Sequence, residues 1–143
     1  MTIYLHQSFN VSLTTVTVLF SINSAAGLVA TWFAGPVVDR VGRKPAMVVS
    51  LTISALTSAV MAVATTIEVW AALMVVGGLA GPLYRIGSNA MVADLVEEER
   101  RAGAYALLRM MANVGVAIGP AIGGFVTGVS YALAFFIAAA ADL

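Results

Sequence analysis

Residues able to pair, bind or switch are few in this chain, and they cluster. Asp39, Arg40, Arg43 and Lys44 share one short stretch between Gly35 and Pro45. Asp39 and Arg43 stand four apart, the spacing at which opposite charges meet on one helix face. Asp39 is also an anion that a helix N-terminus would attract. The chemistry on offer is an electrostatic latch, not bond making. Asp94, Glu97, Glu98, Glu99, Arg100 and Arg101 form a second charged stretch. Arg85 and Arg109 stand alone in apolar surroundings, roughly 13 Å and 12 Å of helix from that stretch. An arginine at such depth costs ~2.5–3.5 kcal/mol on insertion scales. Two readings stand for this pair: a basic patch on an aqueous cavity, or side chains snorkelling to the headgroups. Asn23, Ser24, Asn89 and Asn113 are polar residues in apolar runs; they line a pathway or hydrogen-bond between helices. With Arg85 and Arg109, the three asparagines are the candidate pathway residues. Asp142 would lie roughly 16 Å along a helix from Tyr131 and is a candidate proton site. His6 reads as a loop residue ahead of the first apolar run. No metal-ligand spacing, nucleophile–base pair or phosphate loop occurs, so no metal, cofactor or enzymatic activity is expected. The absence of cysteine excludes a disulfide scaffold and a thiol catalyst.

The elements that position these residues follow from composition. Of 143 residues, 61% are hydrophobic and 10% charged, against about 25% charged in ordinary soluble domains. Mean hydropathy is +0.99. A soluble domain of this size buries only roughly 70% of the surface its unfolded chain exposes, which is too little to hide so apolar a chain. Net charge is zero, so no global field favours nucleic acid. A multi-pass protein of the cell membrane remains, with the lipid bilayer as its first partner. Uncharged or nearly uncharged runs place spans at about 11–34, 46–67, 69–93, 102–126 and 131–143. The last is incomplete, because a span needs ~20 residues. Trp70, beside Glu68 at a turn, is expected to sit as an interfacial aromatic. Arg40, Arg43, Lys44, Arg100 and Arg101 all fall in alternate loops, so the positive-inside rule makes loops 35–45 and 94–101 cytoplasmic.

Glycines punctuate two of these runs. Gly115, Gly119 and Gly123 make two overlapping small-x-x-x-small steps, which draw helix backbones together in lipid. Pro120 removes an N–H and permits a kink, and Gly124 follows. The third run carries Gly77, Gly78, Gly81, Pro82, Gly87 and Ser88, read as a small-residue face of its own.

The first charged stretch resembles the signature of the major facilitator superfamily, Gly-x-x-x-Asp-Arg-x-Gly-Arg-Lys, found between that family's second and third helices. Gly35, Asp39, Arg40, Gly42, Arg43 and Lys44 all match. The order Gly115, Gly119, Pro120, Gly123, Gly124 is similar to the fifth-helix motif of the family's antiporters, chiefly drug:proton exporters. The resemblance implies an all-α membrane fold: a partial N-terminal six-helix half, with helices two through five complete and the sixth cut. It implies a gating latch at Asp39, and a substrate cavity shared with a missing C-terminal half. It also implies proton-coupled efflux of small molecules by alternating access in a full-length parent, with no nucleic-acid partner. The family's fourth-helix arginine would fall near Val75, about three turns from Arg85, so its role does not carry over. Two alternatives stand beside efflux. One is an organic-anion or sugar uptake carrier of the same superfamily. The other is a short membrane protein that packs helices without transporting.

Overall fold

The structure, a computed structural model, describes residues 12–142. The readings of His6 and of a first span starting at 11 therefore lie outside the described residues. Among the described residues five helices follow one another: α1 (Leu13–Val41), α2 (Arg43–Val63), α3 (Ile67–Leu95), α4 (Glu98–Val129) and α5 (Tyr131–Ala141). The first four are long and apolar enough to cross a membrane, and α5 is a shorter apolar helix. With 29 residues, α1 reaches about 44 Å. The hydrocarbon layer is ~30 Å, so α1 tilts or projects beyond it.

Ser12 caps the start of α1, its Oγ accepting from the Thr15 N–H at 3.2 Å, which satisfies one of the donors a helix start leaves open. At the other end, α1 runs on through Pro36 to Val41 instead of stopping near 34. Charge and proline suggested a loop there. A helix needs no apolar sequence to satisfy its own backbone, however, and proline costs it only one N–H and some strain. The signature is consequently a helix end, a one-residue turn and a helix start. The turn is Gly42, at φ 100° and ψ 151°, a region that essentially only glycine occupies. Its N–H donates to the Val38 carbonyl at 2.9 Å, closing α1, and α2 begins at the next residue.

Helix α3 holds the bundle together, packing chiefly on α1 and α2, while α5 lies on α2. Its glycines do not share one face. Gly78 and Gly87 are nine residues apart, about two and a half turns, so they point to opposite sides. A Cβ on Gly78 would stand 2.5 Å from the Asn23 carbonyl oxygen and 3.1 Å from the Ala26 Cβ, both on α1. A Cβ on Gly87 would stand 2.8 Å from the Met47 Cγ of α2. Polar bonds lock both seams: Asn23 Nδ2 donates to the Met74 carbonyl at 2.6 Å, and Ser50 Oγ to the Ala80 carbonyl at 2.8 Å. Pro82 deprives the Gly78 carbonyl of its intrahelical donor. That carbonyl instead lies against Gly27, 3.4 Å from where a Cβ there would stand.

At the end away from the signature, Trp70 is fully covered. It packs with Val16 and Leu19 of α1, Met61 of α2 and Met74 of α3. Phe135 of α5 meets it edge to face, with centroids 5.4 Å apart. This corrects the interfacial reading: position along the chain put the indole near a boundary, but helix rotation turns it inward.

Helix α4 buries no side chain. Gly115, Gly119, Gly123 and Gly124 have nothing within 4 Å of a would-be Cβ, so these steps join no helices among the described residues. A paired test follows. Gly78→Ala, forced against backbone, is expected to cost about 2 kcal/mol. Gly119→Ala is expected to cost nothing and to gain up to ~1 kcal/mol in helix propensity. Unfolding of both variants in mixed micelles measures the contrast, and equal effects would refute the seam.

Candidate functional site

The short turn at Gly42 sets Arg43 at the first position of α2, with Asp39 one helical turn back on α1. A cation at a helix N-terminus is opposed by the dipole, so this guanidinium needs carboxylates. It has two. Arg43 Nη2 lies 3.8 Å from Asp39 Oδ1, and Arg43 Nε lies 2.8 Å from Asp94 Oδ2 near the end of α3. One side chain thus ties the α1–α2 junction to the α3–α4 junction, and both charged turns lie at the same end of the bundle. The pairing is half open to solvent, with Arg43 36% and Asp94 49% exposed. Its contribution to stability is therefore about 0–1 kcal/mol.

The other signature residues do not join this cluster. Arg40 and Lys44 are exposed. No heavy atom lies within 4 Å of a would-be Cβ at Gly35, so it permits no close approach here. Arg40 stands in the last turn of α1, where a cation complements the dipole.

Arg85 lines an open cleft of about 460 Å³ between α1 and α3, with Ser24, Gly27, Leu28, Thr31, Gly81 and Pro82. Arg109 lies on the uncovered helix α4 and lines neither this cleft nor the one described next. Asn23 serves the α1–α3 seam. Asn89 accepts through its backbone carbonyl from the Tyr105 hydroxyl at 3.0 Å, linking α3 to α4. Asn113 is exposed on α4.

A second cleft of about 360 Å³ lies among α2, α3 and α5, lined by Ser50, Ser54, Tyr84 and Asp142 together with Leu51 and small residues such as Gly77 and Gly81. Ser54 Oγ donates to Asp142 Oδ2 at 2.5 Å. The sequence pointed to Asp142 but not to its partners. Asp94 was visible only as one acid of a charged stretch. Pairing across helices leaves no mark at fixed spacing. For Asp94 the only clue was its place at the mouth of the other basic turn.

Comparison with known proteins agrees with this architecture. The sequence profile described as Major Facilitator Superfamily matches residues 1–141. An uncharacterized MFS-type transporter of Bacillus subtilis (strain 168), YhjO, is 30% identical over 86% of this chain and 31% of its own length. Multidrug resistance protein 2 of the same organism is 30% identical over 81% of this chain and 29% of its own. Quinolone resistance protein NorA of Staphylococcus aureus is 27% identical over 76% of this chain and 28% of its own. The chain thus spans a little under a third of the length of these relatives. Four apolar spans, a glycine-turned signature between the first two and a matching profile over nearly the whole sequence make this chain a multi-pass membrane protein of the Major Facilitator Superfamily.

Proposed function

We propose that the chain acts as part of a proton-coupled exporter of small molecules that works by alternating access in the cell membrane. The observation that carries this reading is the Arg43 junction, which links Asp39 and Asp94 across two turns at one end of the bundle. Such a link biases an equilibrium between two arrangements by the small free energy that separates them. The positive-inside rule, applied to the basic residues of both turns, supports a cytoplasmic side for that end. The glycine face of α4, uncovered here, is then the surface that a second helical half covers, since glycines let backbones meet closely in lipid. Export is favoured over import because two of the relatives are named for resistance to drugs. A second reading, uptake of an organic anion or sugar, draws on Arg85 in its cleft with Ser24 and Thr31.

The test is proteoliposomes holding the transporter that contains this chain, under an imposed pH gradient. Proton-driven movement of lipophilic drugs, abolished when the gradient is collapsed, is the expected result. Gradient-independent uptake of an anion or sugar would overturn export in favour of the second reading.

A further inference from the structure

We infer that Asp142 and Ser54 form a reversible proton-binding site in the α2–α3–α5 cleft, with Asp142 as the proton acceptor. Two independent measures set the pair at mid-membrane. Ser54 is eleven residues beyond Arg43, about 16 Å from the signature end of α2. Asp142 is eleven residues beyond Tyr131, about 16 Å from the opposite end along α5. The 2.5 Å contact between them shows that both helices arrive at the same height. A carboxylate at that depth marks a functional site more often than a structural one, and this one faces a cleft instead of a packed seam.

The surroundings allow both protonation states. In the ionised state Ser54 donates to Oδ2. When a proton adds to the carboxylate, the acid O–H becomes the donor, and the Ser54 hydroxyl rotates to accept it. Ser50, one turn away, already donates to the Ala80 carbonyl, which leaves Ser54 as the responsive hydroxyl. Tyr84 is the titratable group that α3 contributes to the cleft, and Arg85, next in sequence, lines the other cleft. From α2 the cleft receives the hydroxyls of Ser50 and Ser54. Helix α4 carries Glu98, Glu99, Arg100, Arg101 and Tyr105 toward its signature end and Arg109 further along, none of which lines this cleft, and α5 itself has only Tyr131. Among the described residues no lysine or arginine lines this cleft with Asp142, and Ser54 is its hydrogen-bond partner.

The site supplies a proton acceptor to the proposed exporter, and so its use, though not its existence, rests on that reading. The test needs no transport. The transporter that contains this chain is reconstituted in liposomes and treated with dicyclohexylcarbodiimide, a hydrophobic reagent that adds whole to a protonated carboxyl. The modified peptide is then read by mass spectrometry. Asp142 is expected to be labelled increasingly as pH falls. Asp39 and Asp94 are expected to react instead with a water-soluble carbodiimide. In Ser54→Ala the carboxylate loses this hydrogen-bond donor, so labelling of Asp142 is expected to change several-fold. Circular dichroism is expected to stay the same, showing that the fold persists. Absence of labelling at every pH, equal reaction of Asp142 with the water-soluble reagent, or indifference to Ser54→Ala would each overturn the site. Drug export failing while Asp142 labels as expected would overturn the transport reading alone.

Discussion

Trp70→Ala is expected to cost about 3 kcal/mol of unfolding free energy, at the lower edge of what buried aromatic-to-alanine changes cost in water. The lower edge applies because an unfolded helix in lipid is also surrounded by apolar groups, so little transfer energy is at stake. What is lost is contact. Trp70 touches α1, α2 and α5 from its place on α3, and its Nε1 donates to the Ala64 carbonyl at 3.4 Å. Alanine leaves a void at the meeting point of four helices, and no one of them can close it without leaving another. The internal control is the chain's other tryptophan. Trp32 is 84% exposed on α1, and Trp32→Ala is expected to change stability by less than ~0.5 kcal/mol. Circular dichroism during denaturation in mixed micelles measures both. A Trp70 variant as stable as the Trp32 variant would show that this end of the bundle is not locked by the indole.

The second large effect is functional. In the transporter that contains this chain, Asp39→Asn and Asp94→Asn are each expected to slow proton-driven transport by up to about fivefold. Fivefold corresponds to ~1 kcal/mol of bias between two states, the upper edge of what a half-exposed ion pair removed from only one of them can supply. Stability is expected to move by less than ~1 kcal/mol, because the pairing is half exposed. The two substitutions act on the same guanidinium, so the double variant is expected to be little worse than either single one. Lys44→Ala, outside the pairing, is the comparison. Unchanged efflux in Asp39→Asn would end the latch assignment. Additive losses would separate Asp39 from Asp94.

These outcomes bear on what the sequence could reveal. The charge runs gave the number of spans, and the four-residue spacing of Asp39 and Arg43 predicted their pairing. Both are local patterns, repeated or broken within a few turns of helix. The third member, Asp94, belongs to another helix, and only packing selects it over Glu97, Glu98 or Glu99. Trp70 was misplaced because hydropathy gives depth along the membrane normal and says nothing about rotation around a helix axis. The same blindness merged Gly78 and Gly87 into one face, when their nine-residue separation already held the half turn that divides them. Conversely, the steps from Gly115 to Gly123 looked like a packing seam and meet nothing within the described chain. A small-residue pattern states that a close approach is possible, not which neighbour makes it.

The two-sided character of α3 also has a consequence for how the protein is made. As the chain emerges, α1 and α2 share few contacts with each other, and the glycine seams and the indole that join them both arrive with the third helix. Until α3 has entered the membrane there is no assembled unit to protect. Once it has, three helices are locked before α4, which buries nothing, is synthesised. Nascent chains halted after Leu95 should therefore resist protease inside the bilayer. Those halted after Val63 should remain open to quality control.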